Sequence, residues 1–364
     1  LAQTYSSLGD YEKALEFNLA CLSLREKLLG KKHPDYARRL NNLALTYFYL
    51  GEYDKALDLY LACIVINEEL LGTEHPEYAT NLSNLALTYS SLGDYDKALE
   101  LNLECLELGE KSLGKEHPDY ARNLANLAGT YSSLGDYDKA IEMISENLSI
   151  LQSRILTSES SLDEDLRLQG LISAQSSLQY KSNLLLHQDR PLEYDDWLFI
   201  KGRETDAINS INASLVSSTD PIIADVYTNL QTAKRQISIL YETPLQELAD
   251  RGIDLQERES DVSSLERELI SLSSEYAEFR KEYKAADVMS QLSEGEVLVD
   301  IINLPLWSFE NKSWSDSSTY LAFVLTGNST LPEIVELGEG MTIDGKGLSL
   351  YNSYIQEKSD PSIY

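Results

Sequence analysis

The sequence has few of the residues that build disulfide frameworks, metal centres or thiol active sites. Its 364 residues include three cysteines and four histidines. No cysteine follows Cys105, and the only histidine after His117 is His187. No apolar run approaches the roughly 20 residues that a helix needs to cross a bilayer. These shortages argue against a disulfide-stabilised small domain and against a helical membrane protein.

Basic side chains are also scarce. Lysine and arginine together number 30, against 60 aspartates and glutamates, for a formal net charge of −30. A surface of this sign repels phosphate backbones and anionic lipids, so we expect no direct binding to nucleic acid or membrane. It attracts a basic peptide or protein face. The hydrophobic content of 43% and charged content of 25% are typical of a soluble globular protein.

What the sequence does contain is a repeat with a period of 42 residues. Four similar octapeptides, the first of which is GDYEKALE, begin at Gly9, Gly51, Gly93 and Gly135. Segments similar to HPDYARRLNNLALTY begin at His33, His75 and His117. Each unit predicts two helices, because its apolar residues recur at helical spacing between an initial proline and a terminal glycine. For the second unit, the second helix is predicted from Tyr53 to Leu71, and Gly72 follows it.

Leucine, small and aromatic residues recur at fixed places in these units, as at Leu43, Ala44, Gly51, Tyr53 and Ala56. The pattern resembles the tetratricopeptide repeat, and more closely the 42-residue variety of kinesin light chains and bacterial scaffolds. The resemblance covers residues 1–150, about three and a half units. It implies a superhelix, since one helical pair cannot bury its own apolar face, and a concave groove for a peptide or protein partner.

The resemblance also implies that the first helix of each unit lines this groove. Asparagine recurs at one groove position while its neighbours vary between units. In the family, such asparagines bind the backbone of a peptide and basic neighbours meet its carboxylates. The predicted groove residues are Arg38, Asn41, Asn42, Thr80, Asn84, Arg122 and Asn126. The alternative is that the asparagines hold adjacent helices together.

The cysteines follow the same period, at Cys21, Cys63 and Cys105. We interpret them as reduced, buried, small apolar residues, which suits a cytoplasmic protein. A metal site that combines them with His33, His75 and His117 is the alternative, but repetition alone explains the spacing. We therefore predict no metal and no cofactor.

Residues 151–292 are predicted to be a helical linker with two heptad-like apolar stripes. The first stripe comprises Ile223, Val226, Leu230, Ala233, Ile237 and Leu240. The second comprises Val262, Leu265, Leu269, Leu272, Tyr276, Phe279 and Tyr283. Thr243, Pro244 and Gly252 separate them, so we predict an antiparallel coiled-coil hairpin at about residues 222–284. We interpret the hairpin as a rigid spacer, and the alternative is a lever between the array and the C-terminal segment.

Residues 293–364 predict the start of an α/β domain. Apolar runs that begin at Gly295, Thr319 and Glu333 predict strands, the polar stretch 308–318 predicts an exposed hairpin loop, and residues 347–358 predict a helix.

The segments LFIKGRETDAI, LERELISLSSEY, GEVLVD, YLAFVLTG and VELG, within residues 195–364, resemble the approach to a CHAT domain. This caspase-like domain follows tetratricopeptide arrays, mostly in bacteria. The resemblance implies a cysteine peptidase fold with a histidine–cysteine dyad in its later half. Neither dyad motif is present, so this chain as given is not expected to catalyse that reaction.

The predicted fold class is therefore mainly α: a repeat superhelix, a helical linker and the start of a truncated caspase-like domain. The predicted function is a protein-interaction scaffold, the sensor or regulatory half of a CHAT-type protein. The alternative is part of a regulated cysteine peptidase whose dyad lies beyond this chain. A motor-linked adaptor like kinesin light chain would account for the array but not for the β-rich end. Because Leu1 falls inside a helical pattern, we expect the chain to be a fragment. The sequence does not indicate the oligomeric state.

Overall fold

A computed structural model describes residues 2–158, 164–201, 205–280, 284–293, 295–327, 329 and 331–339. The chain divides into two compact units. The first unit comprises Leu1–Ile150 and Ser238–Leu255, and the second comprises Leu151–Ile237 and Gln256–Tyr364. The predicted three-part division stays a prediction.

The helices of the repeat region alternate as predicted. They are α1 (Ala2–Ser7), α2 (Tyr11–Leu29), α3 (Pro34–Tyr49), α4 (Tyr53–Leu71), α5 (Pro76–Leu92), α6 (Tyr95–Leu113), α7 (Pro118–Ser133) and α8 (Tyr137–Ser158). The odd-numbered members are the first helices of their units and the even-numbered members are the second helices. The bounds of α4 confirm the prediction for residues 53–71. Gly51 has φ +77°, in the left-handed region that glycine adopts without steric cost.

The remaining elements begin after residue 163. The helices are α9 (Glu164–His187), α10 (Tyr194–Lys201), α11 (Thr205–Val216), α12 (Pro221–Tyr241), α13 (Leu245–Asp250), α14 (Leu255–Leu272), α15 (Ser274–Phe279) and α16 (Ala285–Gln291). The strands are β1 (Val297–Ser308), β2 (Ser313–Thr326) and β3 (Glu333–Glu339). No helix in the described part of the chain is long and apolar enough to span a bilayer.

Small residues bring the two helices of each unit together. Ala44 on α3 and Ala56 on α4 are fully buried in one cluster with Tyr60. The Cys63 thiol donates to the backbone oxygen of Ala37, 3.1 Å away. Because the bond reaches from a second helix to the backbone of the preceding first helix, only a short side chain fits between them.

The same bond recurs in the next two units. Cys105 Sγ donates to Ala79 O at 3.4 Å, and Asn147 Nδ2 donates to Ala121 O at 2.7 Å. Asn147 stands 42 residues after Cys105, where the fourth unit has an amide instead of a thiol. The position is therefore that of a short donor to a carbonyl, which supports the structural interpretation of the cysteines.

Residues of the two predicted apolar stripes meet in the second of the two compact parts of the chain. Val226 and Leu230 of α12 share a core cluster with Leu269 of α14 and Tyr276 of α15. Ile211 and Leu215 of α11 belong to the same cluster, so a third helix takes part. The described residues show a helical cluster, and the coiled coil stays a prediction. Tyr283 lies outside the described residues.

The three strands form an antiparallel sheet in the order β1-β2-β3. β1 and β2 form a hairpin, as predicted, but its loop is shorter than the predicted residues 308–318, because β1 runs to Ser308 and β2 begins at Ser313. Trp307 and Trp314 lie opposite each other in the ladder, with ring centroids 5.3 Å apart. This aromatic pair stabilises a hairpin whose serine-rich sequence otherwise indicates a loop. The helix predicted for residues 347–358 lies outside the described residues.

Asn183 of α9 holds the edge of β1 where the ladder is irregular. Its Nδ2 donates to Pro305 O at 2.9 Å, and its Oδ1 accepts from Trp307 N at 2.9 Å. Asn183 is buried, with 4% of its surface exposed. One side-chain amide therefore satisfies the backbone donor and acceptor on either side of the bulge.

The close approach of α3 and α4 predicts a steric limit at Ala56. Ala56→Leu should lower the free energy of unfolding by about 1–3 kcal/mol, because the added atoms overpack a filled core. Ala62→Leu on the exposed side of α4 is the control and should change it little. Urea unfolding followed by circular dichroism measures both variants, and equal effects would contradict the packing described.

The double contact of Asn183 predicts that the hairpin depends on it. Asn183→Ala leaves a buried N–H and C=O of β1 unpaired, so it should lower the free energy of unfolding by about 1–3 kcal/mol. Asn311→Ala in the exposed turn is the control. Unfolding monitored by tryptophan fluorescence tests this, and a loss confined to Asn311→Ala would contradict it.

Candidate functional site

The seven predicted groove residues lie on α3, α5 and α7, the first helices of consecutive units. Arg38, Asn42 and Leu45 are separated by four and three residues, so they share one helix face. We call this face, with its equivalents on α5 and α7, the groove face. The structure thus brings the predicted residues onto three neighbouring helices.

The asparagines of the groove face connect adjacent units. Asn84 Nδ2 donates to Asn41 Oδ1 at 3.1 Å, and Asn126 Nδ2 donates to Ser83 Oγ at 3.1 Å. These bonds favour the alternative that the asparagines hold adjacent helices together. Each bond uses one N–H of the donating amide, and among the described residues the Oδ1 atoms of Asn84 and Asn126 accept no hydrogen bond, so they can accept one from a ligand.

A buried threonine lies one turn after each asparagine. Thr130 Oγ1 donates to Asn126 O at 3.1 Å and accepts from Asn102 Nδ2 of the preceding second helix at 2.9 Å. Thr46 makes the equivalent bonds with Asn42 and Asn18. These buried bonds fix the position of the groove-face helices relative to the second helices.

The predicted basic residues are paired within their own helices. Arg38 contacts the Asp35 carboxylate, and Arg122 Nη2 lies 2.8 Å from Asp119 Oδ1. Both arginine side chains are about half exposed, at 52% and 54%. Exposed pairs of this kind contribute little stability, so either guanidinium can turn to a ligand at small cost. Thr80 occupies the equivalent place on α5 and is half-buried.

Sequence reasoning missed an apolar row on the groove face. Leu45, Leu87 and Gly129 are spaced by 42 residues, and Leu87 is 42% exposed. Apart from the backbone of α7 itself, no atom lies within 4 Å of the place where a side chain on Gly129 would begin. The third position of the row is therefore an open space in line with two leucines. Aligning the units against one another would have found the row.

A cavity of about 320 Å³ lies among α1, α2 and α3. Asn18, Arg39 and Asn42 line it together with the rings of Phe17 and Tyr49. The Arg39 Nε atom is buried and has no hydrogen-bond partner within the described ranges. A cavity with apolar walls and a few polar groups is suited to a ligand side chain.

Two of the periodic cysteines and the three periodic histidines have structural roles. Burial raises the pKa of Cys63 and of Cys105 to about 12, so both thiols are neutral at physiological pH. The Nδ1 atoms of His33, His75 and His117 accept from the backbone N of the residue two positions later, at 3.1, 3.2 and 3.1 Å. The histidines are thus N-caps of the first helices.

The tetratricopeptide-repeat family profile matches residues 1–66, 39–110 and 91–153. Residues 1–153 are tetratricopeptide repeats. The finding confirms the repeat part of the predicted fold class and the mainly helical superhelix. The repeats support a protein-interaction scaffold as the general function.

Several solved structures are similar to this chain. One has the nearly identical TPR-like repeats of a Podosopora anserina protein assigned as a kinesin light chain. It is 21% identical in sequence, the match covers 60% of this chain and 94% of that chain, and the TM-score is 0.42. BtubC (BKLC) from P. vanneervenii has 24% identity, 60% and 80% coverage, and a TM-score of 0.41. A Rap protein complexed with competence and sporulation factor has 16% identity, 77% and 74% coverage, and a TM-score of 0.38. No curated protein sequence matches the chain.

The burial of the thiols predicts unequal reactivity. Cys21 is half-buried, whereas Cys63 and Cys105 are fully buried. In the native protein at pH 8, iodoacetamide should modify Cys21 first, because the other thiols are inaccessible and their pKa is about 12. Peptide mass spectrometry measures the order. In urea all three should react at similar rates, and native modification of Cys105 ahead of Cys21 would contradict the prediction.

Proposed function

We propose that the groove face of α3, α5 and α7 binds an extended peptide segment of a protein partner, so that the chain acts as an interaction scaffold. The observation that carries the proposal is the open space at Gly129. Glycine inside a helix costs about 1 kcal/mol relative to alanine. Its presence at a half-buried position in line with Leu87 is explained when a ligand approaches the helix closely there.

The groove face offers repeated contacts for such a segment. Asn42, Asn84 and Asn126 provide amide groups at one position of each unit, and an extended peptide has backbone N–H and C=O groups that need partners. Leu45 and Leu87 offer apolar contact beside the amides. The cavity lined by Asn18, Arg39 and Asn42 would accept a polar side chain of the ligand, since these residues bring polar groups to its apolar walls.

Coupling of the array to a caspase-like domain stays a second prediction. Each of β1, β2 and β3 includes one of the predicted strands, although β2 begins six residues before Thr319, and their antiparallel order gives no further support for a CHAT domain. All three cysteines of this sequence lie in the repeats, where two of them donate to backbone carbonyls. A scaffold is therefore the function that the described residues support, and the peptidase alternative depends on residues that this sequence does not contain.

The groove proposal predicts that Gly129→Leu weakens peptide binding without destabilising the protein. Leucine fills the open space with the residue present at positions 45 and 87, and it favours helix more than glycine does. Peptides selected from a random displayed library against the full chain provide the probe. Their affinity should fall roughly ten-fold or more, equivalent to about 1.4 kcal/mol, while the melting temperature stays equal or rises.

Leu134→Ser is the matched control, since Leu134 is exposed just after α7 and off the groove face. Its peptide affinity should equal that of the wild type. If Gly129→Leu binds the selected peptides as well as the wild type does, recognition does not use this face and the proposal is wrong. A loss of thermal stability in Gly129→Leu would show that the open space is structural.

A further inference from the structure

The second helices carry a repeated surface that the groove proposal does not use. On α2, Glu12, Glu16 and Leu19 are exposed and lie four and three residues apart, hence on one face. Ala14 and Asn18 on the opposite face are buried. Equivalent positions on α4, α6 and α8 follow the 42-residue period. We call this surface the outer ridge, and it comprises Glu12, Glu16, Leu19, Asp54, Asp58, Leu61, Asp96, Glu100, Leu103, Asp138 and Glu142.

Its three leucines are exposed to nearly the same extent. Leu19 is 45% exposed, Leu61 is 42% exposed and Leu103 is 45% exposed. Val65, one turn after Leu61, is 63% exposed and extends the apolar row on α4. The fourth unit has Ser145 at this position. The apolar row therefore spans three consecutive second helices and stops at the fourth.

The carboxylates beside this row are not neutralised by the lysines of the same helices. Lys13 is held by the N-cap Asp10, with Nζ 2.6 Å from Oδ2, and its Nζ lies 5.3 Å from the ring centroid of Tyr5. Lys55, Lys97 and Lys139 each pair in the same way with an acidic residue three positions earlier and with a tyrosine ring. The lysine that recurs at this position of each second helix is thus engaged in contacts within the protein.

Seven carboxylates of the outer ridge have no ion pair within the described residues: Glu12, Glu16, Asp54, Asp58, Asp96, Glu100 and Glu142. One of them, Glu100, lies near Glu104 of α6, where burial and then the negative charges of Glu100, Glu107 and Glu68 raise the pKa of Glu104 above its ordinary value. The unpaired carboxylates give the ridge a negative potential that attracts a cationic partner.

We propose that the outer ridge docks a basic amphipathic helix of a partner protein. A helix that crosses α2, α4 and α6 would place its apolar stripe on Leu19, Leu61 and Leu103. Its lysines or arginines would then face the two columns of carboxylates that run alongside the leucines. An amphipathic helix with a basic flank has this combination of one apolar stripe and adjacent positive charge. The surface lies on the second helices, so this interaction is independent of the groove.

The test measures binding of a fluorescent basic amphipathic peptide to the full chain by anisotropy. The probe is a designed helix of about 18 leucine and lysine residues, long enough to be helical. A scrambled peptide of the same composition reports attraction by charge alone. The ridge variant combines Leu61→Ser and Leu103→Ser, which copies the serine of the fourth unit. The control variant combines Leu92→Ser and Leu134→Ser, which are each 40% exposed and lie off the ridge.

We expect roughly ten-fold weaker binding by the ridge variant, since two leucine contacts are lost, and unchanged binding by the control variant. The scrambled peptide should bind the wild type more weakly by a similar factor. Equal affinities of the two peptides, or of the ridge variant and the wild type, would reduce the interaction to adsorption on an acidic surface and overturn the proposal.

A second variant covers the case in which the leucine substitutions disturb folding. Asp58→Asn with Glu100→Gln removes two ridge charges without changing side-chain size. This variant should bind the designed peptide more weakly, and the affinity should depend less on salt concentration. An unchanged salt dependence would place the binding elsewhere and overturn the proposal, because the charges of the ridge would then not contact the peptide.

Discussion

The close approach of the two helices within each unit is the constraint on which the repeat region depends. Ala44 and Ala56 leave no space between the helices, and the short donor at Cys63 reaches the backbone oxygen of Ala37. The helices therefore have one relative position, which is repeated because the sequence is repeated. The groove face and the outer ridge are two consequences of this packing, one on the first helices and the other on the second. Neither surface requires a residue outside the period of 42.

The repeat helices could be predicted closely because their signals are local. Proline and histidine begin the first helices, and glycine follows the ends of both helices of each unit. The bounds of α4, which begins two residues after Gly51 and ends before Gly72, therefore agreed with the sequence. The hairpin of β1 and β2 could not be predicted to the same degree. The serine-rich segment after Trp307 indicates a loop by composition, whereas the contact of Trp307 with Trp314 and with Tyr180 of α9 makes it a strand. Tyr180 is distant in sequence, and no local pattern reveals the contact.

The candidate site also depends on contacts between residues that are distant in sequence. The recurrence of asparagine predicted the face, since identical positions in identical units share one environment. The partner of Asn84 is Asn41, in the preceding unit, so the sequence alone did not distinguish a ligand contact from an inter-repeat bond. Gly129 carries the more specific information, because it departs from the leucines at the equivalent positions and its departure has no packing explanation. In a repeat array, the informative residues are those that break the repetition.

Asn183 has a further consequence for the sheet. An outer strand with free backbone groups can recruit the strand of another molecule, which is a common route to aggregation. The Asn183 amide presents its N–H and C=O to Pro305 and Trp307 in the way that a backbone peptide group would. It thus occupies the place of the first hydrogen bonds of an added strand at this end of β1. A single side chain from a helix thus leaves fewer backbone groups of β1 for the strand of another molecule to pair with.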